Sequence, residues 1–194
     1  MAQPFTPEQM QAIRARLVDS AQRHALTTGV RKTSLDTLTA EAGISKSSFY
    51  KFYDSKEQLF LEVASIWERE ALAHAAQALD ACPDGSSKAR AAAFVFAVFE
   101  AIHQMGIVRF LREDLPYLHA FYSPDKARTH CMTSAAVIFE RLHAAHIAFT
   151  EPDEIVRAVI QLMYLSILNI SELGDNFFPA LRALVQSACD SLVA

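Results

Sequence analysis

The chain has 194 residues, with 18 Lys and Arg against 22 Asp and Glu, a net charge of −4 and an isoelectric point near 6.0. Hydrophobic residues make up 52% of it and no long charge run occurs, which excludes a disordered chain and a non-specific polyanion binder. Five glycines and seven prolines are few breaks for an alanine-rich chain, so it is expected to be all-α rather than a sandwich or barrel.

The longest apolar run, Ala91 to Phe99, is far shorter than the roughly 20 residues a membrane span needs. The start, MAQPFTPEQM, lacks the basic residues and apolar stretch of a signal peptide. Cys82, Cys131 and Cys189 are odd in number and far apart, which points to reduced thiols and no cysteine-based zinc site. A cytoplasmic location, no membrane partner and no cofactor are the expectation. Charge is uneven: residues 1–60 carry a net +2 and residues 61–194 a net −6, a division that suggests two jobs.

Thr6-Pro7-Glu8-Gln9 reads as a capping box opening a first helix, with Ile13, Leu17, Ala21 and Ala25 on one face and a stop at Gly29. Ser34 caps a short second helix that Gly43 ends, and Ser45 caps a third to about Phe52. Ser55-Lys56-Glu57-Gln58 is a second capping box, opening a long helix to about Ala81, and Pro83-Asp84-Gly85 reads as a turn. Further helices are predicted over about Ser87–Met105, Ser123–Ala148, Thr150–Leu173 and Pro179–Val193. An irregular stretch at 106–123 contains Pro116.

Leu35 to Phe52 holds two short helices joined by Ala42-Gly43-Ile44, the pattern of a helix-turn-helix. Gly43 supplies the positive φ of the turn, and Ile44 anchors it. The second of these helices opens with Ser45, Lys46, Ser47 and Ser48. These are small polar and basic groups, at the end by which reading helices approach base edges. Phe49 and Phe52 are candidates to pack beneath, while Tyr50 and Lys51 are placed to reach flanking phosphates. Arg31, Lys32, Thr33, Ser34 and Lys56 add donors outside the reading helix.

The string Gly29-Val30-Arg31-Lys32-Thr33-Ser34-Leu35-Asp36-Thr37-Leu38, followed by Ala42-Gly43-Ile44-Ser45-Lys46-Ser47-Ser48-Phe49-Tyr50-Lys51-Phe52-Tyr53-Asp54-Ser55-Lys56-Glu57-Gln58-Leu59, closely resembles the N-terminal domain of TetR-family transcriptional regulators. The resemblance covers about residues 10–60. It implies a homodimeric, DNA-binding repressor with a three-helix DNA-binding domain (1–54) and a ligand-binding and dimerisation domain (55–194), about nine helices in all. It implies base reading around Ser45, Lys46, Ser47 and Ser48, and phosphate contacts from Thr33, Ser34, Tyr50 and Lys56. Three positions depart from the family pattern. Ser47 stands where Gly is frequent and Thr39 where Ala is usual. Phe52-Tyr53 replaces a His/Tyr-then-Phe pair, which leaves a phosphate contact to the hydroxyl of Tyr53 or to nothing.

Beyond residue 60 no family motif appears. From Ala158 to Ile170 only Gln161, Ser166 and Asn169 are polar, and the last helix carries a stripe of Leu181, Leu184, Val185, Ala188 and Leu192. A helix apolar nearly all round needs cover on nearly all sides, so a second copy is expected to pair through the last two helices. The small-molecule effector is expected to be organic and largely apolar. Its candidate lining is Trp67, Phe96, Phe99, His103, Tyr117, Phe121, Met132, Phe139, His146 and Tyr164, with Arg109 and Arg112 beside an entrance.

A competing chemistry is a di-metal carboxylate site. Glu100-Ala101-Ile102-His103 and Glu140-Arg141-Leu142-His143 both have the Glu-x-x-His spacing of helical-bundle di-iron proteins. Helical phasing turns both glutamates away from the apolar faces, which argues against it. His143 and His146, at i and i+3, are the candidates for a metal-responsive regulator. No nucleophile elbow or phosphate-cradling glycine loop is present, so no enzymatic activity is expected.

Overall fold

The computed structural model describes residues 5–81, 85–121 and 134–194. These are helical almost throughout: α1 Pro7–Leu26, α2 Leu35–Ala42, α3 Lys46–Phe49, α4 Lys56–Asp80, α5 Ser87–Gln104, α6 Leu115–Phe121, α7 Ser134–Ala144, α8 Asp153–Ile167 and α9 Phe177–Leu192. A π turn at Phe110–Asp114 leads into α6, and single turns at Ile170–Leu173 and Gly174–Asn176 lead into α9.

The chain forms two compact units, Met1–Ile66 with Arg109–His130, and Trp67–Val108 with Cys131–Ala194. In the first, Leu17, Leu38, Phe49, Leu59 and Phe60 are fully buried and knit α1, α2, α3 and the start of α4 together. In the second, α5 packs on α9 and α7 on α8 around Phe94, Phe99, Phe139 and Phe177. The last residues are stitched back there: Thr150 N–H donates to Leu192 O (2.9 Å) and Ala194 N–H to Ala148 O (3.0 Å).

Local chemistry explains the helix starts. Thr6 Oγ1 accepts from Gln9 N–H (3.3 Å) while Gln9 Oε1 accepts from Thr6 N–H (2.9 Å), a complete capping box. At α4, Ser55 Oγ accepts from Gln58 N–H (3.2 Å), but the Gln58 side chain reaches one residue further back, to Asp54 N–H (2.6 Å).

Four expectations are corrected. The third helix is regular only to Phe49 and continues as turns, Lys51 N–H bonding Ser48 O and Phe52 N–H bonding Phe49 O. The stretch expected to be irregular is helical from Val108 to Phe121, with Pro116 just after the π turn at Phe110–Asp114, where the wider spiral accommodates a residue without an N–H. α7 ends at Ala144, before a turn in which His146 takes φ 59°. α8 ends at Ile167 rather than near Leu173. Just there, Ser166 Oγ donates to Met163 O (2.6 Å) and Asn169 Nδ2 to Leu165 O (3.1 Å), side chains competing for helix carbonyls. The turn at Pro83-Asp84 and the helix start at Ser123-Pro124-Asp125 lie outside the described residues.

Candidate nucleic-acid interface

The joint between α2 and α3 is set by Gly43, at φ 71°, with Ile44 N–H reaching back to Thr39 O (3.0 Å). Ser45 then caps α3, its Oγ accepting from Ser48 N–H (3.2 Å) and lying 2.9 Å from both Ser47 Oγ and Ser48 Oγ. Ser45, Lys46 and Ser47 are exposed and Ser48 is half-buried. Directly behind them Phe49 is fully buried, edge-on to Tyr50 and tilted on Tyr53. The polar end of α3 therefore stands on a fixed apolar footing.

Tyr50, 58% exposed, and exposed Lys51 flank it, and Ser34 caps α2 through Thr37 N–H (3.0 Å). Lys46 is not idle: its ammonium lies 2.9 Å from Asp36 on α2, and that hydrogen bond raises its pKa. Both groups are well exposed, so the pair is weak and open to exchange for another anion.

Three expected phosphate donors are otherwise engaged. Thr33 is buried, and its hydroxyl donates to Gly29 O (2.7 Å). Lys56 Nζ donates to Val30 O (3.0 Å) and Thr33 O (2.8 Å), tying the loop before α2 to the start of α4. Tyr53 is buried, with the Arg14 guanidinium 5.7 Å from its ring centre, so its hydroxyl does not replace the donor that Phe52 lacks.

Buttresses hold the head. Arg14 makes a two-pronged pair with Glu62, at 3.2 and 2.7 Å. Glu41 on α2 accepts from Ser20 (2.7 Å), pairs with His24 (2.9 Å) and accepts from Arg23 (3.0 Å) on α1. These partners, Ser20 first, hold the Glu41 pKa down to about 2. The clasp thus contributes fully above the ordinary value of 4.5 and is lost as pH falls toward 2. Thermal melts should show Glu41→Gln less stable than the wild type at neutral pH, the gap closing as the pH approaches 2; a gap independent of pH would refute this assignment.

A second set of contacts, not anticipated from sequence, comes from the Arg109–Phe121 stretch of the same unit. Arg109 donates to Ala25 O (2.6 Å) and lies 3.8 Å from Asp114, a buried carboxylate whose Oδ2 has no hydrogen-bond partner among the described residues. Both approach Gly29, which sits at φ 86°. Arg31 lies over the Tyr117 ring (4.7 Å), and Tyr117 donates to Glu57 Oε1 (3.2 Å). Arg109 thus acts as a clasp while lining an open hollow with Thr28, Arg31 and Lys32, and Arg112 pairs with Glu113 (2.8 Å).

The candidate effector residues are divided between the two units. Tyr117 and exposed Phe121 belong to the first unit, and Met132 lies outside the described residues. In the second unit Trp67, Phe99 and Tyr164 are buried, Phe96 lies under Arg182 (3.8 Å) and Phe139 under Arg157 (4.3 Å). His103 is exposed, edge-on to Phe178 (5.0 Å), and His146 is exposed. An apolar cavity among Val95, Ile160, Met163 and Val185 holds about 30 Å³, room for one water, and none of the ten borders it. Glu100 is half-buried and Glu140, His103 and His143 are exposed. Among the described residues no three of His, Cys, Asp and Glu gather to hold a metal, so the di-metal reading is not favoured.

Residues 17–63, which span α2, the Gly43 turn and α3, match the model of bacterial regulatory proteins of the tetR family. The chain carries a TetR-family N-terminal domain. The fold agrees beyond it. A TetR-family transcription regulator from Shewanella sp. PV-4 shares 16% identity over 96% of this chain and 98% of its own, with a TM-score of 0.63. A TetR-family regulator from Mesorhizobium loti MAFF303099 shares 15% over 96% of each chain, at 0.63. The multidrug binding protein EbrR, complexed with imidazole, shares 19% over 90% of this chain and 93% of its own, at 0.65. Identities this low establish a TetR-type fold and leave its ligands to be argued from residues. No curated protein matches the chain in sequence.

Proposed function

We propose that the protein is a homodimeric, non-enzymatic TetR-like repressor of the cytoplasm that binds double-stranded operator DNA and is released by a small, mostly apolar effector. The observation that carries this reading is the exposed Ser45-Lys46-Ser47 turn, standing on buried Phe49 within the tetR match. Base reading is assigned to Ser45, Lys46, Ser47 and Ser48, and backbone contacts to Ser34, Tyr50 and Lys51. DNA binding is assigned to residues 1–54, and effector binding and dimerisation to 55–194.

Dimerisation is supported by bare apolar surface. α8 turns Val156, Ile160, Met163 and Ile167 inward but leaves Ile155, Leu162 (67% exposed) and Leu165 open, and α9 leaves Leu184 58% exposed. A second copy covers that face and presents two reading helices to two half-sites. The contacts of Arg109 and Tyr117 with the 25–57 segment support a coupling route: an effector that displaces the π turn and α6 disturbs the loop before α2. DNA and effector then weaken one another reciprocally.

The test is a footprint of purified protein on the DNA upstream of its own coding region. A protected, two-fold-related site that Ser47→Arg abolishes is expected; no protection at low ionic strength would end the regulator reading. Asp36→Ala, which frees Lys46 and removes a charge facing phosphate, should tighten binding by roughly twofold to fivefold at low salt and by nothing at high salt. Filter binding at two salt concentrations measures this.

A further inference from the structure

Of the four polar residues at the start of α3, only one reaches far. The Ser45, Ser47 and Ser48 hydroxyls are short, and the latter two each lie 2.9 Å from the first. Lys46 is the one long donor among them. Its ammonium is gripped by both carboxylate oxygens of Asp36, 2.9 Å from Oδ1 and 3.0 Å from Oδ2. The two residues stand on different helices, so α2 fixes where the ammonium of α3 rests. Both side chains are well exposed.

Stability does not explain the pair, since an exposed ion pair contributes little to the fold. Its carboxylate also weakens the attraction to every duplex alike. It does not weaken every contact equally. A phosphate takes the ammonium only by lying beside Asp36, anion against anion. A base edge carries no net charge and meets the ammonium with the pair intact. Lysine has donors only, so the edge that suits it presents adjacent acceptors. Guanine offers N7 and O6 side by side in the major groove. Adenine sets N7 beside a donor, and thymine sets O4 beside a methyl group.

We propose that Asp36 is a positioning residue that determines specificity: it holds the Lys46 ammonium for one guanine in each half-site and withholds it from phosphate. This deepens the DNA-binding reading and rests on it. Holding matters because the lysine stem is otherwise free to swing among many acceptors.

The test replaces each guanine of the footprinted operator in turn with 7-deazaguanine, which pairs normally and lacks N7. Affinity of the full chain is measured near physiological salt. In the wild type, the replacement is expected to weaken binding by roughly fivefold or more at one guanine of each half-site. Lys46→Met should bind more weakly and be indifferent to that replacement. Asp36→Ala should bind the operator no more weakly than the wild type, yet feel the replacement by about twofold at most. Its preference for operator over unrelated duplex should fall by roughly threefold or more. Both variants change exposed side chains and should melt as the wild type does. An operator with no sensitive guanine overturns the proposal without recourse to any variant. A sensitivity that survives in Lys46→Met, or is undiminished in Asp36→Ala, also overturns it, and in all three cases the regulator reading stands. Failure of the wild type to bind any duplex fells both.

Discussion

Leu162→Glu will leave the protein monomeric at micromolar concentration and lower its affinity for DNA by roughly a hundredfold or more. Leu162 is 67% exposed at the middle of α8, with Ile155 and Leu165 open beside it and Leu184 open on α9. In the free chain a glutamate there is solvated and harmless. Against a second copy the same carboxylate loses its water without gaining a partner, at a cost of several kcal/mol. DNA affinity falls with it, because each half-site then meets a single reading head, and the gain from linking two heads is lost. Light scattering and a gel shift on the same sample check both parts. Leu26→Glu, at an exposed leucine ending α1, is the control expected to stay dimeric. A dimeric Leu162→Glu that still binds DNA would remove the interface from α8.

Gly29→Ala will be the more damaging of two glycine substitutions that look equivalent in sequence. Gly29 and Gly43 both take positive φ, 86° and 71°, so either replacement costs about 1 kcal/mol in backbone strain. At Gly43 an added Cβ meets nothing within 4 Å, and the loss stops there. At Gly29 the Cβ would stand 3.1 Å from Arg109 Nη1 and 3.3 Å from Asp114 Oδ2. Arg109 is held by Ala25 O and Asp114 is buried, so neither yields without loosening the clasp. A total of about 2–4 kcal/mol is expected, against about 1 for Gly43→Ala, or several degrees of extra loss in Tm. Thermal melts of the two variants, side by side, decide it; equal losses would show the clasp to be slack.

What could be read from sequence divides along a physical line. Thr6, Ser34, Gly43 and Ser45 were legible because a cap or a turn is made by residues three or four apart, whatever surrounds them. Phe49 was legible because an aromatic placed behind a polar helix start has one side to go to. Thr33 and Lys56 misled for the opposite reason. Their hydroxyl and ammonium looked like phosphate donors, and their carbonyl partners came from the folding of a loop onto α4. Arg109 meets Ala25 at a separation of 84 residues, and Asp114 approaches Gly29 from as far, a pairing no local pattern encodes. Of the aromatic residues marked as a ligand cage, Phe96 and Phe139 each lie beneath an arginine, a contact that spacing along the chain does not announce.

The widened turn at Phe110–Asp114, where Leu115 N–H bonds Phe110 O across five residues, holds one residue more than an α-helix would. Delete any one of those five and the spiral is free to rewind to ordinary pitch, with every later side chain keeping nearly the same bearing around the axis. Tyr117 would then still face Glu57 and Arg31, so a single lost codon is absorbed here, whereas a second would turn both contacts away.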